Sequence, residues 1–550
     1  MRDSLLRQVV YVALIFLLSL RPGWGEETAT VTTHDPITFV QGVSKVTRPV
    51  GPNEVFSVVA IVGDNVTLAD SRGFQATLSR SSLKITDLSP PSGNTNSAPA
   101  TLEMTNGIPA IPTTSSDSPP VESTVPTTPH TATEGQNPED AKAIEQLNDA
   151  FQVALFTDTN LWSDADTDVA RRLKWPQESK TSTDASFRLY ALKGGAPVLG
   201  AHAYSMALYS RNGHPTYISM VFANKGDISS FLSLDKRKEI NPASLATLND
   251  YMQKFGKDLN AAVKSDADTI NAQLTAILGT PETHQFGPTS NSRETVHRWD
   301  WKGHAILLSS PRDEYAALKI VPSEVADHAG DVANMDRETI KAELAKRVLK
   351  SDNGDVVLQE IPMVDQGPKG YCVPATWERY LRYVDVPADM YVLAMLGNSG
   401  IGGGTNIYAL RAGVNDYVGS YGRRIETANV PLDVAHISKF IDQGLPLMWS
   451  CFAMEDIEKE INLHTTQRKK VIDWESYKTN LQADDKTLVP LSLNDLNVLE
   501  HGHMRMIIGY NVQSDELAIS DSWGESCALR WITVKEAQNI TRNDLEYIQW

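Results

Sequence analysis

Residues 89–138 contain no aromatic residue, lysine or arginine, yet they hold ten of the chain's 29 prolines among serine, threonine, asparagine and glycine. Such a stretch cannot bury enough apolar surface to offset its ordering entropy, so residues 89–140 are expected to form a disordered, extended tether. This divides the 550-residue chain into a short leading part and a trailing part too long for one hydrophobic core. A multidomain α+β protein follows. Its 41% hydrophobic content is that of a globular chain, and a formal charge of -18 argues against nucleic acid as a partner. Three cysteines are too few for a zinc ribbon or a disulfide scaffold.

The leading part begins with a secretory pattern over residues 1–25. Arg2 and Arg7 stand beside an apolar run from Val9 to Leu20, and Gly23-Trp24-Gly25 supplies small residues for cleavage. The run is about 12 residues where a membrane span needs about 20. A secreted or periplasmic location is expected, with no span after cleavage and no cysteine before Cys372 to carry a lipid. Residues 30–88 read as a small all-β module. Alternating runs at Ile37–Val40, Val55–Val62, Val66–Ala69, Ala76–Leu78 and Leu83–Ile85 are separated by Gly-Pro, Gly-Asp and Arg-Gly turns. Their size and spacing resemble an SH3-like barrel, which implies a cell-wall or protein ligand.

After the tether, residues 141–335 read as an α+β domain. Helices are expected at Ala141–Phe151, around Val169–Leu173 and over Pro242–Leu278, where Leu245, Leu248, Met252, Phe255 and Leu259 mark a buried stripe. Strands are expected at Phe187–Leu192, Val198–Tyr209, Tyr217–Ala223, Val296–Trp301, His304–Leu308 and Tyr315–Val321. His202, His214, His297 and His304 are scattered on strands and turns and read as structural. A charged helix over residues 336–350 leads into a last domain, residues 351–550.

That last domain carries the chemistry. In Asp365-Gln366-Gly367-Pro368-Lys369-Gly370-Tyr371-Cys372, a glycine-broken loop delivers a cysteine to the start of a helix. Val373, Trp377, Tyr380, Leu381 and Val384 recur at helical spacing, and Pro374 falls in the first turn, where no amide is lost. A thiol there meets the positive end of the helix dipole, which favours thiolate. Gln366, six residues upstream, offers an oxyanion donor beside the cysteine's own amide. Downstream, His501-Gly502-His503 enters a buried strand, and the next strand, Glu516–Ser520, ends at Asp521. Nucleophile, base and orienting acid would then stand together.

These motifs resemble the papain-like cysteine peptidase superfamily over residues 351–550. Gln366, Gly367, Gly370 and Cys372 stand in the family's register. Gly509-Tyr510 follows His503 at the family's distance, and Asp521-Ser522-Trp523-Gly524 takes the place of its Asn-Ser-Trp-Gly run. An aspartate as third member and Val373 in place of tryptophan look like the bacteriocin-leader-peptidase-like (double-glycine peptidase-like) branch. The resemblance implies a nucleophile-bearing helix packed on an antiparallel sheet, with Cys372 as nucleophile, His503 as general acid/base, Asp521 as orienter and Gln366 in the oxyanion hole. It further implies Trp523 as a shield over the His–Asp pair. The run Gly402-Gly403-Gly404-Thr405 either pairs its backbone with an extended substrate, as a glycine pair does in papain-like enzymes, or is an ordinary loop, and the strand around Trp449 resembles the one that lines the specificity pocket. The substrate would be a peptide or protein, and no cofactor is implied.

Some alternatives stay open on the sequence. A catalytically silent papain-like binding protein is one, although all four positions carry competent side chains. A wall-directed amidase is another, against which stands Tyr371-Cys372-Val373-Pro374 in place of Asp-Cys-Ser-Gly. A transglutaminase-type acyl transfer would use the same residues. The His501/His503 pair has metal-binding spacing but lacks acidic or cysteine partners at matching spacing. His436 and His464 read as bystanders, the latter in a charged, irregular insertion over Glu455–Asp485. Cys451 and Cys527 are either disulfide-bonded or free. Residues 141–335 would recruit or support the peptidase, or else cover its cleft; the absence of a papain-type helical pro-region favours the first.

Overall fold

In the computed structural model of the chain, the first described elements are strands. β1 (Thr28–Val31), β2 (Ile37–Gln41), β3 (Ser44–Arg48), β4 (Val55–Val62), β5 (Asn65–Ala69), β6 (Gln75–Ser79) and β7 (Leu83–Thr86) form one antiparallel sheet in the order β3-β2-β6-β5-β4-β1-β7. The threonine-rich β1 and the polar β3 carry too little apolar pattern to be read from sequence. Beyond these strands, the structure describes residues 137–191, 196–227, 245–400, 404–484, 491 and 501–550. The expected signal segment and nearly all of the tether lie outside the described residues. The chain divides into two compact units, with these seven strands in one and His130–Trp550 in the other.

In the larger unit, α1 (Pro138–Phe151) is capped by Asn137, whose side chain accepts from the amide of Glu139 at 3.2 Å, and it buries Ile144, Leu147 and Phe151. α2 (Asp166–Leu173) follows, then an eight-stranded antiparallel sheet in the order β14-β15-β16-β17-β13-β12-β9-β8. Its strands are β8 (Gln177–Lys180), β9 (Asp184–Tyr190), β12 (Ser205–Arg211), β13 (His214–Asn224), β14 (Glu282–Phe286), β15 (Glu294–Trp301), β16 (His304–Ser309) and β17 (Tyr315–Pro322). β10 (Ala196–Val198) and β11 (Ala201–Ala203) pair separately. A single strand over Val198–Tyr209 is thus interrupted, because Leu199 and Gly200 both take positive φ and reverse the chain. α3 (Leu245–Leu278) lies along one face and buries Phe255, Leu259, Val263, Ile270 and Leu274 against Leu208, Phe222, Ile306 and Leu318. His304 is buried, with Nδ1 on the carbonyl of Trp301 at 3.0 Å, a structural role.

α4 (Ser323–Asp327) and α5 (Arg337–Lys346) lead onward. The helix expected to continue to Lys350 stops at Lys346, and Val348–Lys350 pairs as β18 with β19 (Asp355–Leu358). The second sheet runs β18-β19-β22-β21-β25-β20, with β23 added beside β22 and β24 beside β23. Its remaining strands are β20 (Arg424–Thr427), β21 (Leu447–Phe452), β22 (Gly502–Asn511), β23 (Glu516–Ser520), β24 (Arg530–Thr533) and β25 (Thr541–Gln549). α6 (Cys372–Tyr383), α7 (Met390–Leu396), α8 (Ile407–Ser420), α9 (Val434–Ile441), α10 (Glu455–Arg468), α11 (Trp474–Asp484) and α12 (Val534–Ile540) complete it. The insertion expected to be irregular is therefore two helices. The charges that obscured them are partly buried: Arg468 of α10 bonds Glu516 at 2.9 Å and Asp355 at 2.9 Å.

α6 lies between the two sheets. Trp377, Tyr380 and Leu381 pack with Met448, Met504, Met506 and Ile508 of the second sheet. On its other side, Ala375 and the preceding Tyr371 pack with Val221, Tyr315 and Ala317 of the first. A helix buried on both sides must pair its charged residues internally. Arg379 donates to the carbonyl of Pro362 at 2.9 Å, and Glu378 accepts from the Tyr209 hydroxyl at 3.1 Å and the Met390 amide at 2.8 Å. Among the described residues, no helix is long and apolar enough to cross a membrane.

Candidate active site

Cys372 is the first residue of α6, and no side chain caps that helix end. The first-turn amides are therefore left to the sulfur, which receives hydrogen bonds from the amides of Val373 and Met504 and shares one with the His503 side chain. Burial pushes the thiol up, but His503 and these amides outweigh it and hold Cys372 below the ordinary thiol range. Conversely, burial pushes His503 down, while its bonds to Asp521 and Cys372 hold it above the ordinary imidazole range. Both shifts favour thiolate beside imidazolium. His503 Nε2 donates to Asp521 Oδ1 at 2.7 Å, which leaves Nδ1 for the sulfur.

Sheet register brings these groups together. Met506 pairs with Ser520, so one step further sets Arg505 across from Asp521, and His503 shares the face of Arg505. Arg530 stands opposite Ile519 on β24 and reaches the same carboxylate. Arg505 Nε lies 3.1 Å from Asp521 Oδ1, and Arg530 Nη2 is paired with Asp521 Oδ2. Burial would raise this carboxyl, but the two guanidiniums and His503 hold it far below the usual carboxylate range. From the far side, the partly buried Glu458 of α10 pairs with Arg505 and with Arg530 at 2.8 Å, closing a square of alternating charges. The Trp523 ring stacks on the imidazole with centroids 4.4 Å apart.

Gln366 approaches from the preceding loop. Its amide N–H donates to the carbonyl of Ser522 at 2.9 Å, tying the loop to the Asp521–Trp523 turn. Its Nε2 donates to the carbonyl of Lys369 at 2.9 Å, while Oε1 is buried without a partner. Gly367 has φ 67°, and a side chain there would press on Tyr190, so both the turn and the close approach call for glycine.

Of the other expected residues, Gly402 and Gly403 lie outside the described residues. Gly404 is exposed, with φ 78° and open space around it. Trp449 is fully buried in the core, with its indole N–H on Thr541 Oγ1 at 2.9 Å, so it supports the strand and does not line a surface. His501 is half-buried, and burial lowers it. Among the described residues, no cluster of three or more histidine, cysteine or acidic side chains has metal-holding geometry. All three cysteines are free thiols, and burial pushes Cys451 up to about 12. Sequence reasoning missed Arg505, Arg530 and Glu458. Arg505 left a trace, since an arginine alternating with His503 in a buried strand demands an acidic partner.

Set beside protein-family models, curated proteins and solved structures, the chain finds no match.

Proposed function

We propose that the chain is an exported, papain-like cysteine peptidase whose catalytic residues are Cys372, His503, Asp521 and Gln366. The observation that carries this is the continuous hydrogen-bonded line from Cys372 through His503 to Asp521, in which the thiol is drawn down and the imidazole drawn up. In this reading, the Cys372 thiolate adds to a peptide carbonyl, and the developing oxyanion is met by the Cys372 amide and the second N–H of Gln366 Nε2. The His503 imidazolium then gives its proton to the leaving amine, and a thioester remains on Cys372. Neutral His503 next takes a proton from water; the hydroxide displaces Cys372, restoring the thiolate–imidazolium pair and releasing the carboxylic acid, which gives its proton to solvent.

Helix α6 packed on an antiparallel sheet supports a papain-like fold for the C-terminal region. The seven-stranded N-terminal sheet supports an SH3-like module with a wall or protein ligand. A silent binding protein is disfavoured by the intact line of partners: a fold kept for binding alone has no need to bury an ion pair next to a thiol. The test is hydrolysis of fluorescein-labelled casein by the full chain and by Cys372→Ser and His503→Ala. Loss of cleavage in both variants is expected; cleavage that survives Cys372→Ser would sink the proposal.

A further inference from the structure

We infer that Lys369 is a positioning residue through which residues 141–335 set the oxyanion arm of the site, with Asp227 as its anchor. The inference rests on the peptidase reading. Lys369 lies inside the nucleophile loop, three residues before Cys372, and its side chain is fully buried. Its ammonium reaches out of the C-terminal region to Asp227 Oδ1 at 3.0 Å and lies over the rings of Tyr190 at 4.6 Å, Tyr391 at 5.2 Å and Tyr371 at 5.9 Å.

Asp227 follows β13 of the first sheet and is held rigidly: its amide donates to Asn224 Oδ1 at 2.8 Å. Its Oδ2 accepts from Asn224 Nδ2 at 3.0 Å and from the Tyr391 hydroxyl at 3.2 Å. The Lys369 and Tyr371 side chains pack directly on the backbone of Gly226, where an added Cβ would meet the Tyr371 ring at 2.7 Å and Lys369 Cδ at 2.8 Å.

The same residue holds the glutamine. The carbonyl of Lys369 accepts from Gln366 Nε2, and Gln366 Oε1 has no partner, so this bond fixes the direction of the amide. The anchored ammonium therefore holds the carbonyl that aims the oxyanion donor. Two further ties hold the start of the loop: the Asp365 amide donates to Glu178 Oε1 at 2.9 Å, and the Tyr190 hydroxyl donates to the Asp365 carbonyl. A buried ion pair adds little net stability over an apolar pair of the same size. What it adds here is a fixed position, and the position it fixes is that of Gln366.

The test uses the full chain and the neutral double variant Lys369→Met/Asp227→Asn, which avoids leaving one buried charge alone. Two readouts are taken: kcat and KM on a quenched peptide spanning a casein bond that the wild type cuts, and the rate of Cys372 alkylation by an epoxide. The expected result is a ten- to hundredfold fall in kcat, with KM and the alkylation rate within threefold of wild type. The triple variant that also carries Gln366→Ala should then be no slower than Gln366→Ala alone, because both changes act on one donor. An unchanged kcat overturns the inference, and so does alkylation that falls in step with hydrolysis. If the double variant does not fold, Tyr391→Phe removes one hydrogen bond of Asp227 without touching the charges, and a kcat-only loss of severalfold is expected; no loss overturns the inference. A wild type that neither hydrolyses casein nor alkylates selectively sinks the peptidase reading and this inference with it. A reactive wild type with an unaffected variant sinks the inference alone.

Discussion

At the scale of residues, the candidate site is an electrostatic arrangement whose consequences have definite signs. With Cys372 drawn down and His503 drawn up, alkylation of Cys372 should follow two coupled ionisations. Reactivity should rise below the ordinary thiol range and fall above the ordinary imidazole range. The charged groups around this pair are Asp521, Arg505, Arg530 and Glu458, with Arg379 and Glu525 further out. Removing a positive charge should move both limbs to higher pH, and removing a negative one should move both lower. Arg530→Met and Glu458→Gln should therefore displace the profile in opposite directions, by roughly half a unit to one unit each. Displacement in the same direction would mean that the square acts through shape and not charge. Asp521→Asn should reduce hydrolysis about 10²–10⁴-fold, less than loss of Cys372 or His503. Cys372, His503 and Asp521 were legible in the sequence because each sits where a strand or helix begins or ends. Arg530 was not, because sheet register alone brings β24 to β23.

At the scale of elements, α6 was legible because its apolar spacing holds against both sheets, and α10 was not, because its Arg468 and Glu458 pair with Asp355, Glu516, Arg505 and Arg530, partners far away in sequence. Burial makes Glu378 of α6 a stability sensor. Desolvation pushes its carboxyl up to about 7 against the pull of Arg188 and Arg382, and Asp389 and Glu178 push the same way. An ordinary glutamate titrates near 4.3. Between about pH 4.3 and 7 the folded chain holds the extra proton, so stability falls as pH rises through that window and stays lowered above it. Glu378→Gln removes this titration. The variant should gain about 1–3 kcal/mol over wild type at pH 8 and little at pH 4.5, read from denaturant midpoints. An equal change at both pH values would show that Glu378 stays ionised in the fold.

At the scale of the molecule, residues 141–335 form a wall behind the nucleophile helix. Val221, Tyr315 and Ala317 close a core with Val364, Tyr371, Ala375, Met390 and Tyr391 that residues 351–550 cannot complete alone. Sequence separated the two regions because each has its own sheet; the surface that joins them lies on strand faces whose partner no periodicity names. Expressed by themselves, residues 336–550 should melt well below the full chain and lose most hydrolysis, measured by thermal unfolding and casein cleavage. Full activity in that piece would make the wall dispensable. The central claim is that His503 activates Cys372, and labelling the full reduced chain with an epoxide, followed by peptide mapping across pH, tests it most directly. Cys372 should react at least tenfold faster than Cys451 and Cys527 at neutral pH, and His503→Ala should abolish the difference. Equal, slow labelling of all three cysteines would contradict it.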